Sequence, residues 1–182
     1  MSLQASPLTT KQIEHTWQTM LQSTPKSEAF IQQITERDNI SDVFVVLQIE
    51  KNIDQVWSEV VAFNTYPSKI DELDAVNVYE KKDEIVKATF TFSKFFLSFD
   101  NSFTHKIDAK NHKLTWELDI SRDYEMLNFS YGIWQFEKIN ENKTRAYYQN
   151  SVSYLSWIPN IIVEYALKTG SKNSTLWLTK SN

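Results

Sequence analysis

Between Leu97 and Asp108 the chain alternates without a break. Leu97, Phe99, Asn101, Phe103, His105 and Ile107 hold one parity; Ser98, Asp100, Ser102, Thr104, Lys106 and Asp108 hold the other. Successive side chains leave a strand on opposite faces, so this is a half-buried β-strand and the first set shares one face. That face is aromatic, yet it carries an amide and an imidazole. A buried polar group left unpaired costs about 1–3 kcal/mol, so Asn101 and His105 each need a protein partner, a water or a ligand. The pattern points to a pocket without naming what fills it.

More strands follow the same logic. Val43–Glu50 contains Val-Phe-Val-Val-Leu, apolar on both parities, as expected of a strand covered on both sides. Further strands are predicted over about 74–81, 84–92, 95–108, 113–120, 127–139 and 144–155. Short polar links of the hairpin kind separate them at Lys81-Lys82-Asp83, Ala109-Lys110-Asn111-His112 and Asn140-Glu141-Asn142-Lys143. In the strand from Leu127 the apolar parity changes around Gly132, which predicts a bulge or sharp bend there.

Helical signals flank the strands. Residues 8–38 read as one or two short amphipathic helices, with Ile13, Trp17, Met20 and Leu21, then Pro25, then Phe30, Ile31 and Ile34. This extension is expected to cover one face or edge of the sheet, the rival role being a helix for a partner or a membrane surface. Asn52-Ile53-Asp54-Gln55 is a helix start of capping-box type, Val56, Trp57, Val60 and Phe63 form its apolar stripe, and Tyr66-Pro67 is expected to end it. Pro159 to Lys180 is a helix candidate about 33 Å long at roughly 1.5 Å per residue. Its middle, Thr169-Gly170-Ser171-Lys172-Asn173-Ser174-Thr175, is poor in helix formers, so packing must hold it. Its small side chains also leave room for a cavity beneath.

Composition narrows the function classes. At 182 residues the chain is most simply one globular unit, able to bury about 70% of its unfolded surface. The two parts read as a helical extension, 1–42, and a ligand-binding domain, 43–182. Net charge is −4 and the basic residues are scattered, which argues against nucleic acid as a partner. With no Cys, disulfides, thiolate metal sites and cysteine nucleophiles are excluded. There is no apolar run long enough for a transmembrane segment and no basic-then-apolar leader, so a cytoplasmic location is expected. His15, His105 and His112 sit on three different predicted elements, so no metal site is expected. No Gly-rich phosphate loop or Gly-x-Ser-x-Gly elbow occurs, and no cofactor is predicted. Arg122-Asp123-Tyr124-Glu125 reads as a solvated loop.

A strand, a capped helix pair, six antiparallel strands and a long last helix make the helix-grip plan. Over about 43–180 the sequence resembles the superfamily of START lipid-transfer domains, birch-pollen-allergen-like proteins, polyketide cyclases and coenzyme Q-binding proteins. The resemblance rests on Asn52-Ile53-Asp54-Gln55-Val56-Trp57, Tyr66-Pro67, Gly132-Ile133-Trp134-Gln135-Phe136-Glu137, Thr144-Arg145-Ala146-Tyr147-Tyr148 and Trp157-Ile158-Pro159. It implies an α+β fold: a curved seven-stranded antiparallel sheet wrapped around the C-terminal helix, with the N-terminal helical extension outside it. It also implies a hydrophobic cavity that holds a lipid, quinone or polyketide-like molecule. Some members cyclise and dehydrate polyketides, but no shared signature carries a catalytic residue over, and fold does not fix function.

On these grounds the candidate ligand-binding residues are Phe90, Phe99, Asn101, Phe103, His105, Trp116, Tyr131, Tyr148, Asn150, Tyr165, Thr169 and Asn173. The aromatics serve packing first and binding second. Three roles are open to His105: a core histidine bonded to a neighbouring element, a polar ligand contact, or a proton carrier near neutral pH with Asn101 or Asn150 anchoring a carbonyl. The leading reading is carriage of a small hydrophobic molecule. The alternatives are a cyclase or dehydratase, and a protein-interaction module whose cavity is closed.

Overall fold

The computed structural model describes residues 6–24, 28–94, 96–122 and 124–180; Pro25 and Asp123 lie outside the described residues. The alternating segments become strands β1 (Phe30–Arg37), β2 (Ile40–Ile49), β3 (Leu73–Lys82), β4 (Ile85–Lys94), β5 (Leu97–Asp108), β6 (Lys113–Leu118), β7 (Leu127–Asn140) and β8 (Lys143–Tyr154). They pair antiparallel in one eight-stranded sheet, in the order β1-β2-β8-β7-β6-β5-β4-β3.

The eighth strand is a correction to the helical reading of residues 30–38. Phe30 and Ile34 lie four apart, a spacing that places two residues on one face of a helix and equally on one face of a strand. Asp38 and Asn39 decide between them. Both take positive φ, 47° and 65°, in the two-residue turn that joins β1 to β2. Asp and Asn tolerate that geometry, and it is the hairpin geometry that matches strand twist. The first half of the extension is helical as expected: α1 (Thr10–Ser23) begins with a Thr9–Gln12 capping box.

α1 packs on the outer face of the sheet. Ile13, Trp17 and Met20 meet Phe44, Val46, Ile133 and Tyr147, and the Trp17 indole N–H donates to the Tyr148 carbonyl at 3.1 Å. This explains why β2 is apolar on both parities. Its other face, Val43, Val45 and Leu47, joins the main core with α2 (Ile53–Val60) and the terminal helix.

α2 has half of the expected capping box: the Asn52 side chain accepts from the Gln55 N–H at 2.8 Å, while the Gln55 amide donates to Glu59 rather than reaching back. It ends at Val60, earlier than Tyr66-Pro67 implies, and a 3-10 turn, Phe63–Ser68, runs through Pro67. The terminal helix is continuous but not uniform. α3 (Asn160–Tyr165) passes into a π turn (Ala166–Gly170), then α4 (Ser171–Leu176) and a 3-10 turn (Trp177–Thr179). The π turn falls at the edge of the stretch that is poor in helix formers. Turns of this kind are frequent at functional sites.

β7 runs without a bulge at Gly132, contrary to expectation. Its parity changes earlier, where the register with β8 slips between Leu127 and Phe129. Gly132 answers a different need: a Cβ there would lie 2.0 Å from Cζ2 of Trp116, its neighbour across the strand pair. Glycine lets the indole lie flat over the backbone.

Candidate functional site

The sheet curves around the terminal helix but does not fill the space beneath it. A cavity of about 240 Å³ lies between them. Along its middle the helix presents the small side chains of Ala166, Gly170, Ser171 and Ser174 to this space, with Ile162, Tyr165 and Leu167 beside them. The sheet presents Phe90, Phe103, Trp116, Trp134 and Tyr148, so the wall is aromatic on one side and small on the other. Large rings packed against one another hold the wall open. Phe90 meets Phe103 edge-on at 5.5 Å, and Tyr148 meets Trp134 at 4.9 Å and Trp116 at 5.6 Å.

His105 lies on this wall, buried at 5% exposure among the rings of Phe63 at 4.6 Å and Phe90 at 5.5 Å. Its Nδ1 is 3.3 Å from the Val86 carbonyl across the β4–β5 pair. Only a protonated nitrogen bonds a carbonyl, so Nδ1 carries the hydrogen and Nε2 keeps its lone pair. Burial lowers the imidazole pKa to about 4, the bond to Val86 opposing this only in part. His105 is therefore neutral at physiological pH and presents an acceptor.

Asn101 has a different place. It is fully buried but does not line the cavity; its Oδ1 accepts from the backbone N–H groups of Met126 at 3.2 Å and Leu127 at 3.3 Å, and its Nδ2 has no partner. The amide fastens the loop between β6 and β7 to β5. In the same loop Glu125 Oε2 accepts from the Asp100 N–H at 2.8 Å, so a segment that is exposed, as expected, is also tied down.

Of the other candidates, Phe90, Phe99, Phe103, Trp116, Tyr148, Asn150 and Tyr165 line the cavity together with His105. Asn150 accepts from Ser130 at 3.2 Å, joining β7 and β8. Burial pushes the Tyr148 phenol up, so it stays protonated. Tyr131 does not line the cavity: the strand is regular from Phe129 through Trp134, with no bulge at Gly132, so Tyr131 keeps the opposite parity from Trp134. Thr169 is exposed: the π turn rotates the helix so that Gly170 and Ser171 face the sheet instead. Asn173 stays off the wall but bonds a residue that is on it, Glu72.

Glu72 and Lys94 were not expected. Glu72 is buried just before β3 and accepts from the Tyr165 hydroxyl at 2.5 Å and the Asn173 amide at 2.8 Å. Lys94, at the end of β4, approaches it to 3.8 Å and lies 4.5 Å over the Tyr165 ring. Both line the cavity, and with the Lys94 side chain 39% exposed they mark where it meets solvent. A charged residue in a polar link gives no inward signal. Tyr154 does have one, since it continues the Tyr148, Asn150, Val152 parity onto the cavity wall.

A sheet of this order curved over one long helix, with a cavity between, decides the fold. The fold is that of the START and aromatase/cyclase proteins. The ZhuI aromatase/cyclase of a Streptomyces species superposes with a TM-score of 0.69 at 8% identity, covering 77% of this chain and 92% of its own. A START superfamily protein from Mycobacterium smegmatis gives 0.65 at 11% identity, covering 76% and 94%. A STAR-related lipid transfer protein from Xanthomonas axonopodis gives 0.62 at 12% identity, covering 84% and 97%. No family model matches the sequence, and no curated protein matches it. The helix-grip plan is thus shared in three dimensions where sequence identity is nearly lost. Among the described residues no helix is long and apolar enough to cross a membrane.

Proposed function

We propose that the protein binds a small apolar molecule in its helix-grip cavity and carries it without chemical change. The observation that carries this reading is the pairing of an aromatic sheet wall with the small side chains of Ala166, Gly170, Ser171 and Ser174 in the middle of the helix, around about 240 Å³. A cavity of that size lined by apolar groups loses dispersion contacts that a ligand restores. The name of the Xanthomonas relative describes lipid transfer, which agrees with carriage.

The polar groups on the wall support binding over turnover. A proton carrier near neutral pH needs a pKa close to that pH, and burial holds His105 at about 4. Of the two carbonyl anchors a cyclase could use, Asn101 is committed to the loop backbone, while Asn150 lies on the wall and accepts from Ser130.

The test is native mass spectrometry and thermal unfolding of the purified protein after incubation with a total lipid extract. Carriage predicts a retained mass of a few hundred daltons and a raised melting temperature. No adduct and no shift, across extracts of several compositions, would sink the reading. Catalysis would show as conversion of an accepted compound that stops in His105→Ala.

A further inference from the structure

The helix-grip plan read from the sequence has seven strands, and β1 is an eighth, at the edge of the sheet. Its inward residues show what it adds. Phe30 and Ile34 pack against the main core, and Gln32, between them on the same face, reaches the terminal helix. Its amide nitrogen donates to the Ser171 hydroxyl at 2.5 Å, the Leu167 carbonyl at 3.3 Å and the Lys168 carbonyl at 3.4 Å. Two hydrogens thus serve three oxygens, all within the π turn or at its end.

A π turn holds one residue more than an α turn and so displaces a backbone bond. Here the Ser171 N–H bonds the Ala166 carbonyl, five residues back, and leaves the Leu167 carbonyl, four back, to other donors. That carbonyl receives the Ser171 hydroxyl and the Gln32 amide. These two donors satisfy the acceptor that an α turn would have filled, so they favour the π register over the α register. Register decides what faces the cavity. In the π register the middle of the helix turns Ala166, Gly170, Ser171 and Ser174 inward. With α spacing throughout, the series that starts at Tyr165 continues to Thr169 and Asn173, while the series through Ser174 and Ser171 runs back to Leu167 and Val163. Whichever end of the helix stays fixed, a larger side chain then stands over the cavity: Thr169 for Gly170, or Val163 for Ala166.

Resting on the reading of the cavity as a binding site, we infer that Gln32 is a positioning residue for it: the edge strand pins the terminal helix in the π register and thereby sets the largest apolar ligand that the cavity admits. Gln32 does not line the cavity and acts through Ser171, which does.

The test reads register and size separately. Long-range HNCO spectra of the isotopically labelled protein detect coupling across a backbone hydrogen bond and so identify the carbonyl that the Ser171 N–H bonds. In the unmodified protein it should be that of Ala166; in Gln32→Leu, which keeps the bulk and loses both donors, it should be that of Leu167. Displacement of the fluorophore N-phenyl-1-naphthylamine by 1-octanol and 1-dodecanol then measures the room. Four further buried methylenes should favour dodecanol by about a hundredfold in the unmodified protein, and by about tenfold or less in Gln32→Leu. A loss of stability alone weakens both alcohols together and leaves the coupling where it was. A Ser171 coupling that stays on Ala166 in Gln32→Leu, or is not on Ala166 in the unmodified protein, overturns the clamp. A coupling that moves while the dodecanol advantage persists overturns the control of size, as does the lack of any advantage in the unmodified protein. Failure of the fluorophore and both alcohols to bind overturns the binding reading and the size limit with it, while the coupling still decides the clamp. If Gln32→Leu does not fold, as judged by its melting transition, Gln32→Glu, which keeps the shape and has no donor when ionised, is read in the same way.

Discussion

On the outer face of the sheet, α1 lays Trp17 and Met20 directly onto Phe44, Val46 and Tyr147 and closes a small solid core. On the inner face a longer helix lies over a larger apolar surface and leaves about 240 Å³ unfilled. The strands do not account for this difference, since both faces offer large rings. The helices do: α1 points an indole and a thioether at the sheet, while the middle of the terminal helix points Ala166, Gly170, Ser171 and Ser174, with Ile162, Tyr165 and Leu167 beside them. A cavity in this fold is thus a property of the covering helix, and two matched truncations should expose it. Phe44→Ala on the outer face removes a ring that is packed all round, and we expect a loss of about 4 kcal/mol in urea unfolding. Phe103→Ala on the cavity wall removes a ring with one side already open, and the loss should be about half as large. Equal losses would mean that the inner face is packed as tightly as the outer.

His105 sharpens the contrast, because the inner face buries an imidazole where the outer core has none. The ordinary imidazole pKa of 6.5 applies to the unfolded chain, and the folded value is about 4. Above pH 6.5 the ring is neutral in both states and nothing is lost. As pH falls from 6.5 to about 4 the unfolded chain takes up a proton that the folded chain refuses, so stability drops by about 3 kcal/mol over that window. His105→Phe keeps a ring in place and should flatten this part of the stability–pH curve, measured by urea unfolding from pH 7 to pH 4. An unchanged slope would mean that the ring charges freely in the folded state, as it would if open to water.

Sequence reading fared differently along these two faces. Period-two alternation placed β3 to β8 to within a few residues, and the apolar double parity of Val43–Leu47 foretold a cover behind β2. It failed where a spacing serves two periods, as with Phe30 and Ile34, and the Asp38-Asn39 turn that could have arbitrated is a two-residue signal. For the cavity, eight of the expected residues reach the wall: Phe90, Phe99, Phe103, His105, Trp116, Tyr148 and Asn150 because parity on a strand is rigid, and Tyr165 from the terminal helix. Tyr131 was misplaced because β7 has no bulge at Gly132, and Thr169 because of a π turn in the helix, which leaves no compositional mark. Glu72 was missed because a carboxylate between strands reads as solvated, and only the fold brings Tyr165 and Asn173 onto it.

The chain has two glycines, and both lie on the inner side, so alanine at each probes how the cavity is walled. At Gly132 the added methyl would stand 2.0 Å from the Trp116 indole, which lies between the strand backbone and Tyr148. The ring must move into the cavity, and overpacking of this kind costs about 2 kcal/mol. The variant should also bind apolar probes more weakly than the unmodified protein. At Gly170 the nearest atoms to a methyl are the Tyr165 carbonyl at 3.7 Å and the Ala166 Cβ at 4.0 Å, ordinary contact distances. Its φ is −60°, which alanine adopts freely. Gly170→Ala should therefore stabilise the protein by about 0.5–1 kcal/mol in thermal or urea unfolding, through the reduced freedom of the unfolded chain. A loss instead would mean that the π turn needs glycine for its own geometry, and that the small residue is there for the helix rather than for the space beneath it.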